Sequence, residues 1–398
     1  MRITDDIKYV GVNDYKIDLF EGLYKVPNGM AYNSYVILDD KIAVMDTVDT
    51  GFTDEWLKNV QFALKDKKPD YLIVQHMEPD HSSNILKFME KYPEAFLVAS
   101  SRAFVMMKNY FGIELAENKI VVDDGDILSL GKHVFTFFTA PMVHWPEVIV
   151  TYDSTDKVLF SADAFGRFGA VDMDGPIVDE KEWEGEARRY YFGIVGKYGL
   201  FVQKLLNKLK DVEIQTICPL HGPILNANVE HYLKLYHTWS SYEPGEDGVM
   251  IAYTSVYGNT KKAVMMLIDK IVDRLHDGEH EKDSFKVCVY DLTRCDMSEA
   301  VADAFKYGKL VLATTTYNAE LFPPMREFIS ALTERNFSNR FVAFIENGSW
   351  APIVAKLMRE RLEKCKDITF AKNTVRMVSA LNDEGIEQLE ELVKEIVS

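Results

Sequence analysis

Six consecutive residues, His76-Met77-Glu78-Pro79-Asp80-His81, hold two imidazoles and two carboxylates. They follow the apolar run Tyr71-Leu-Ile-Val74 and precede Ser82-Ser83-Asn84, polar residues of the kind that cap a helix N-terminus. The stretch therefore reads as a turn between a strand and a helix. In an extended segment side chains two apart share a face, so His76, Glu78 and Asp80 converge. Carboxylates crowded together repel one another unless a cation sits among them, and mixed nitrogen and oxygen donors suit a borderline-to-hard first-row ion. Taken alone, the hexapeptide is also open to a reading as a solvated polar loop.

Three more donors stand at the ends of later apolar runs. His144 lies in Pro141-Met-Val-His144-Trp-Pro-Glu147 after Val134–Ala140, and Asp163 in Ala162-Asp163-Ala164-Phe165-Gly166 after Lys157–Ser161. His221 lies in Cys218-Pro-Leu-His221-Gly222-Pro223 after Glu213–Ile217. Seven candidate ligands thus sit at four strand ends, where α/β and α+β folds build their sites. The other histidines are read as carrying no chemistry: His133 at a turn, His231 and His237 on a helical stretch, His276 and His280 in a charged loop. Trp145 is read as packing that fixes the rotamer of His144.

A second set of loops has a different chemistry. The run Val249–Tyr253 leads into Thr254-Ser255-Val256-Tyr257-Gly258-Asn259-Thr260, and a helix is predicted from Lys261. Hydroxyls, a glycine and the free N–H groups of a helix N-terminus make a phosphate cradle. No Gly-Lys-Ser/Thr follows, which disfavours a nucleoside triphosphate with magnesium; a plain Ser/Thr-rich turn is the rival. Thr314-Thr315-Thr316-Tyr317-Asn318-Ala319-Glu320 and Glu346-Asn347-Gly348-Ser349-Trp350-Ala351 are predicted loops after later strands. Each offers small residues for backbone contact and one large aromatic for stacking, against the alternative that Tyr317 and Trp350 are core aromatics.

The elements that must position these groups fall into two patterns. Residues 8–50 alternate apolar and polar with Gly/Asn/Asp punctuation, predicting strands and hairpins, followed by helices at Phe52–Leu64, Ile85–Lys91 and Ala103–Tyr110. Further strands are predicted at Ala95–Ala99, Lys119–Val122 and Ile127–Leu130, and a helical region at Arg188–Leu209. After the Pro/Gly/acid-rich Tyr242–Gly248, strands and helices alternate to the end, which predicts a parallel, doubly wound sheet. A length of 398 residues is too great for one ordinary core, so two domains are expected, 1–245 and 249–398. The net charge of −17 argues against nucleic acid or an anionic membrane as partner. No apolar run approaches a membrane span and no signal-peptide core follows Met1. Four cysteines without a CxxC pair point to reducing cytosol.

His-x-Glu-x-Asp-His, then His-Trp-Pro, then Asp-Ala-Phe-Gly, then His-Gly, followed by a doubly wound half, resembles the flavodiiron proteins over essentially the whole chain. The resemblance implies an N-terminal metallo-β-lactamase-like αββα domain followed by a flavodoxin-like domain. Hydrolases of the first fold carry histidine where Glu78 stands; a carboxylate there hardens the site and favours iron over zinc. By resemblance, His76, Glu78 and His144 bind one iron, Asp80, His81 and His221 the other, and Asp163 joins them. Whether His81 stays on iron is open, because some relatives leave the equivalent histidine off the metal. The three later loops would hold FMN at the carboxyl edge of the sheet, with Tyr317 and Trp350 flanking the isoalloxazine. Relatives often have Asp where Thr254 stands.

The implied activity is reduction of dioxygen to water, of nitric oxide to nitrous oxide, or both, with electrons passing through FMN. Without paired CxxC knuckles no rubredoxin module is fused, so a separate rubredoxin is the implied donor, with a reduced deazaflavin as the alternative. A head-to-tail homodimer, or a dimer of dimers, would bring one chain's FMN beside its partner's irons. A metal-dependent hydrolase carrying a flavodoxin domain is the competing reading.

Overall fold

The computed structural model describes residues 3–113, 118–171, 180–276 and 284–398, with side chains of 180–182 left aside; His280 lies outside these residues. The chain divides into two compact units, Met1–Ser240 and Ser241–Ser398.

Two sheets face each other in the first unit. One runs Ile7–Tyr9, Tyr35–Ile37, Ala43–Met45, Tyr71–Ile73, Phe96–Ala99, Lys119–Val121 in spatial order, antiparallel at first and parallel from Ala43–Met45 onwards. The other runs Ile127–Ser129, Val134–Thr139, Ile149–Asp153, Val158–Phe160, Thr216–Cys218. Alternation along the strands divides their side chains between two cores. Tyr35, Ile37, Ala43, Met45, Ile73 and Val98 pack between the sheets against Phe135, Phe137, Ile149, Val158 and Phe160. Val36, Val44, Leu72, Val74 and Leu97 face outward onto helices, meeting Trp56, Val60 and Leu64 of Thr53–Leu64, Phe88 of Ile85–Lys91 and Met107 of Ser101–Phe111. The helix Gly199–Leu209 packs on Val134–Thr139 of the second sheet, completing helix–sheet–sheet–helix layers.

The second unit is a parallel sheet ordered Lys286–Asp291, Glu246–Tyr253, Tyr307–Tyr317, Arg340–Asn347, Ile368–Phe370. That second-first-third-fourth-fifth order is the flavodoxin-like one, with its switch point between the first and third strands. Val264, Leu267 and Ile271 of Asn259–Leu275 and Leu389, Leu392 and Ile396 of Asp383–Val397 cover one face. The helices Met297–Lys306 and Val354–Leu362 lie against strands of the same sheet. No helix of the described residues is long and apolar enough to cross a membrane.

Several local expectations are corrected. Asp80 and His81 are not extended but sit in a helical turn, Pro79–Ser82, because proline at the first helical position is pre-set for it. Asn84 precedes the next helix without capping it; its side chain donates to Val48 O and meets Thr53 Oγ1 instead. Thr315, Thr316 and Tyr317 continue a strand that pairs back onto Glu320–Leu321, leaving Asn318 and Ala319, both at positive φ, as the hairpin turn. The helix after the Glu346–Ala351 loop begins only at Val354, since the residue before Pro352 is pushed away from helical geometry. The strands Ile149–Asp153 and Val375–Met377 were not anticipated.

Candidate functional site

Strand ends and fixed turns set each donor of the first unit. Asp46, just past Ala43–Met45, accepts from Gln75 N at 2.7 Å, Gln75 Nε2 at 3.0 Å and His76 N at 3.3 Å. Thr47 donates through N (2.8 Å) and Oγ1 (2.7 Å) to His81 O, so adjacent residues of one strand end hold both ends of the donor hexapeptide. Burial pushes the Asp46 carboxyl up to about 6, partly opposed by His81 and the Gln75 donors. Asn33 Nδ2 donates to Pro219 O and Gly222 O, both at 2.8 Å, fixing the His221 turn. Gly222 has φ +81, and a Cβ there would stand 2.7 Å from Arg167 Cγ. At Gly166 a Cβ would meet Asp163 O at 3.1 Å, which keeps the Asp163 turn tight.

All seven predicted donors come together. His144 Nε2 lies 2.9 Å from Glu78 Oε2 and 3.2 Å from His76 Nε2; His76 Nε2 and Glu78 Oε2 are 3.3 Å apart. In a second group His81 Nε2 stands 3.0 Å from His221 Nε2, and Asp80 Oδ2 is 3.4 and 3.3 Å from these two. Asp163 serves both. Its Oδ2 is 3.0 Å from His144 and 3.5 Å from His76, while its Oδ1 is 3.3 Å from His81 and 3.9 Å from His221. Ligand atoms about 2.1 Å from one ion, at octahedral to tetrahedral angles, stand about 3.0–3.4 Å apart. Apart from Asp163 to His76 and to His221, at 3.5 and 3.9 Å, the spacings match two such centres, and His81 turns Nε2 into the second.

The donor chemistry fits as well. The buried oxygens of Asp163 and Asp80 have the imidazole nitrogens of the cluster as their charge partners, so either protonated rings or a metal cation must offset them. Burial opposes ionisation of Asp163, yet the imidazoles of His76, His144 and His81 outweigh it and hold the carboxyl well below the usual range. Burial likewise lowers His144, but Asp163 and Glu78 overcome it and raise the imidazole to about 9. Without metal the cluster balances itself with protons, which a divalent ion displaces.

Aromatic rings wall the centre. Phe20, Tyr32 and Tyr190 lie 5.3, 5.8 and 5.6 Å from the His221 ring, and Trp145 stands 5.2 Å from His76 and 5.9 Å from His144. Three residues given no role by the sequence belong here. Glu147 receives His76 Nδ1 at 2.8 Å. Tyr190 is buried with no hydrogen-bond partner on its hydroxyl, whose pKa burial, then Asp163 and Glu78, drive well upward. Glu21, exposed in the turn between Leu19–Phe20 and Tyr24–Lys25, has its carboxyl raised to about 7 by partial desolvation and then by the Glu78 carboxylate. Only Glu147 carried a sequence signal, standing within the same Pro141–Glu147 stretch as His144. His133 is buried and bonded to Asp153 at 2.8 Å; with Asp156 these form a third acidic group whose bonds tie a turn.

In the second unit, Thr254–Gly258 links the first strand to its helix. Gly258 precedes the helix at φ +93, and Ser255 Oγ accepts from Gly258 N (3.1 Å) and Lys261 N (3.2 Å). Thr254 is buried and bonded to Thr314 at 2.6 Å, at the base of the loop. Asn347 Nδ2 reaches Thr260 Oγ1 (3.3 Å) and Ser379 O (3.1 Å), tying the first and third loops together; the Val378–Ala380 segment was not foreseen as part of this edge. Gly348 leaves no room for a Cβ, which would meet Pro352 at 2.9 Å. Trp350 is 91% exposed, Tyr257 94% and Tyr317 45%, so neither Trp350 nor Tyr317 is a core aromatic.

A protein named nitric oxide reductase from Moorella thermoacetica is 30% identical over 370 residues, covering 92% of this chain and 90% of that one. The chain belongs to the flavodiiron family. The chain is also similar to the anaerobic nitric oxide reductase flavorubredoxin of Vibrio vulnificus, 27% identical over 88% of this chain and 70% of that one. Among solved structures, rubredoxin oxygen:oxidoreductase from Desulfovibrio gigas superposes with a TM-score of 0.89 at 25% identity, covering 100% of this chain and 97% of that one. The flavodiiron protein from Giardia intestinalis has the same fold, with a TM-score of 0.89 at 24% identity over 99% and 95% of the two chains. Residues 30–222 match the family described as ODP family beta lactamase. The fold is thus a metallo-β-lactamase-like domain joined to a flavodoxin-like one, in an oxidoreductase family.

Proposed function

We propose that this flavodiiron protein reduces dioxygen to water, nitric oxide to nitrous oxide, or both, at a pair of irons. The observation that carries the reading is Asp163, whose two buried oxygens face separate His/His/carboxylate groups. His76, Glu78 and His144 would hold one iron, Asp80, His81 and His221 the other, with Asp163 between them. Bound there, the irons would supply the gas-binding and redox chemistry, and FMN would supply two further electrons. The chain's own contribution is to fix donors before the metal arrives, to bring the carboxylates of the donor set to three through Glu78 where a hydrolase places imidazole, and to wall the centre with aromatic rings that limit water.

FMN is assigned to Thr254–Thr260, Thr315–Ala319 and Asn347–Ala351, with Trp350 and Tyr317 as stacking partners. The glycine-led helix start, the tied first and third loops and the exposed indole support that assignment. A separate rubredoxin is the proposed donor, a reduced deazaflavin the alternative, and a head-to-tail homodimer in the cytoplasm the proposed working form. Iron and FMN analysis followed by anaerobic turnover with each gas tests the reading. Full zinc occupancy with hydrolysis of a thioester or phosphodiester would favour the hydrolase instead.

A further inference from the structure

The two metal positions are supported unequally from behind. In the second group, His221 Nδ1 faces a neutral backbone carbonyl, Ala31 O, at 2.8 Å, and His81 Nδ1 is buried without a hydrogen-bond partner, the Asp46 carboxyl acting on that ring through space only. In the first group, His76 Nδ1 faces the Glu147 carboxylate at 2.8 Å, and the same oxygen, Oε1, accepts Met77 N at 2.8 Å. Glu147 is 2% exposed, and its other oxygen has no partner. Ser100, which caps the helix Ser101–Phe111, donates to Glu147 O at 2.8 Å, so the backbone bearing the carboxylate is pinned too.

Resting on the metal-centre reading, we propose that Glu147 is the positioning residue that makes the first metal position, and not the second, the tighter and more electron-rich of the pair. A carboxylate on Nδ1–H fixes the tautomer that presents Nε2 to the metal and pushes charge onto the imidazole. Through a ring stiffened by conjugation, a buried anion one hydrogen bond away strengthens the metal–nitrogen bond and favours the ferric over the ferrous state. The carbonyl behind His221 fixes a tautomer equally well but brings no net charge. Glu147 also follows His144 by three residues, so one short segment supplies one donor of the first position and supports another.

The test uses the full chain stripped of metal by chelation and titrated with cobalt(II), followed by its visible absorption. Glu147→Gln keeps an acceptor oxygen for both N–H groups and replaces the charged carboxylate by a neutral amide of the same size. In a His221→Ala background, which retains the first position, Glu147→Gln is expected to weaken cobalt binding 10–100-fold. In a His144→Ala background, which retains the second, the same change should alter affinity less than threefold. Glu147→Asp, which keeps the charge but shortens the reach by a methylene, should give a smaller first-position loss than Gln, and it covers the case in which Gln fails to fold. On the iron-loaded protein, Glu147→Gln should raise the midpoint potential of one iron while leaving the flavin potential in place. Equal weakening in both backgrounds, or none in either, would overturn the assignment. Failure of the unsubstituted chain to bind two cobalt ions would overturn the metal-centre reading itself, and this inference with it.

Discussion

At the scale of single residues, charge decides which metal the centre selects. Glu78 adds a carboxylate 2.9 Å from His144 Nε2 within a buried donor set. Glu78→His should therefore shift selectivity towards zinc and lower gas turnover by at least tenfold, checked by elemental analysis after expression with both metals present. Proton linkage gives a second outcome. The metal-free chain holds His144 at about 9, raised above its unfolded value by Asp163 and Glu78 against burial. A group raised on folding stabilises fully below its unfolded pKa and loses that contribution as pH rises through the folded one. The melting temperature of metal-free protein should thus fall between about pH 6.5 and 9 from this source. Metal-loaded protein should lack that slope, because a ligating imidazole is already deprotonated. A metal-free chain whose melting rises across that window would contradict the arrangement around His144.

Turns between elements carry the site, and they are where the sequence was only partly legible. The donor residues could be read because each group follows an apolar strand and has Gly or Pro within three residues: His221-Gly222-Pro223 declares both its chemistry and its turn. The flavodoxin-like half could be read from alternating strands and helices. Glu147 as the support of His76 could not, because the pair is 71 residues apart and only the packing of two sheets brings them together. Tyr190 belongs with it, since burial of a phenol beside Asp163 is a tertiary fact with no local pattern. The Ile149–Asp153 strand is a different case, for Val148-Ile-Val-Thr-Tyr152 is a β-branched run that carries its own signal. Asn33 shows how such turns are held from a distance. Its amide satisfies Pro219 O and Gly222 O, and its carbonyl accepts from Tyr9 OH at 3.0 Å. Asn33→Ala leaves buried polar groups unpaired and should cost about 2–3 kcal/mol, read in denaturant unfolding of the metal-free chain. It should also weaken the second metal position more than the first, since only the His221 turn loses its anchor.

For the whole molecule, the chain joins a centre that would take gas to a crevice that would take a two-electron carrier, and the proposed head-to-tail dimer pairs the two across chains. Mixing chains lacking iron ligands (His144→Ala, Asp163→Ala) with chains disabled in the phosphate loop (Ser255→Ala, Asn259→Ala, Thr260→Ala) should restore part of the turnover lost by each. The recovered fraction should track heterodimers resolved by native mass spectrometry; no recovery in a mixture containing them would contradict the paired arrangement. The proposed activity depends on redox turnover at the Asp163-linked pair. The most direct measurement is anaerobic single turnover of purified, iron-checked, fully reduced protein with nitric oxide and dioxygen in turn, quantifying nitrous oxide and peroxide. The expected result is nitrous oxide from the first gas, or peroxide-free consumption of the second, abolished by Asp163→Ala with FMN still bound. Reduced protein carrying two irons and one FMN that consumes neither gas, or that keeps full turnover without Asp163, would contradict it.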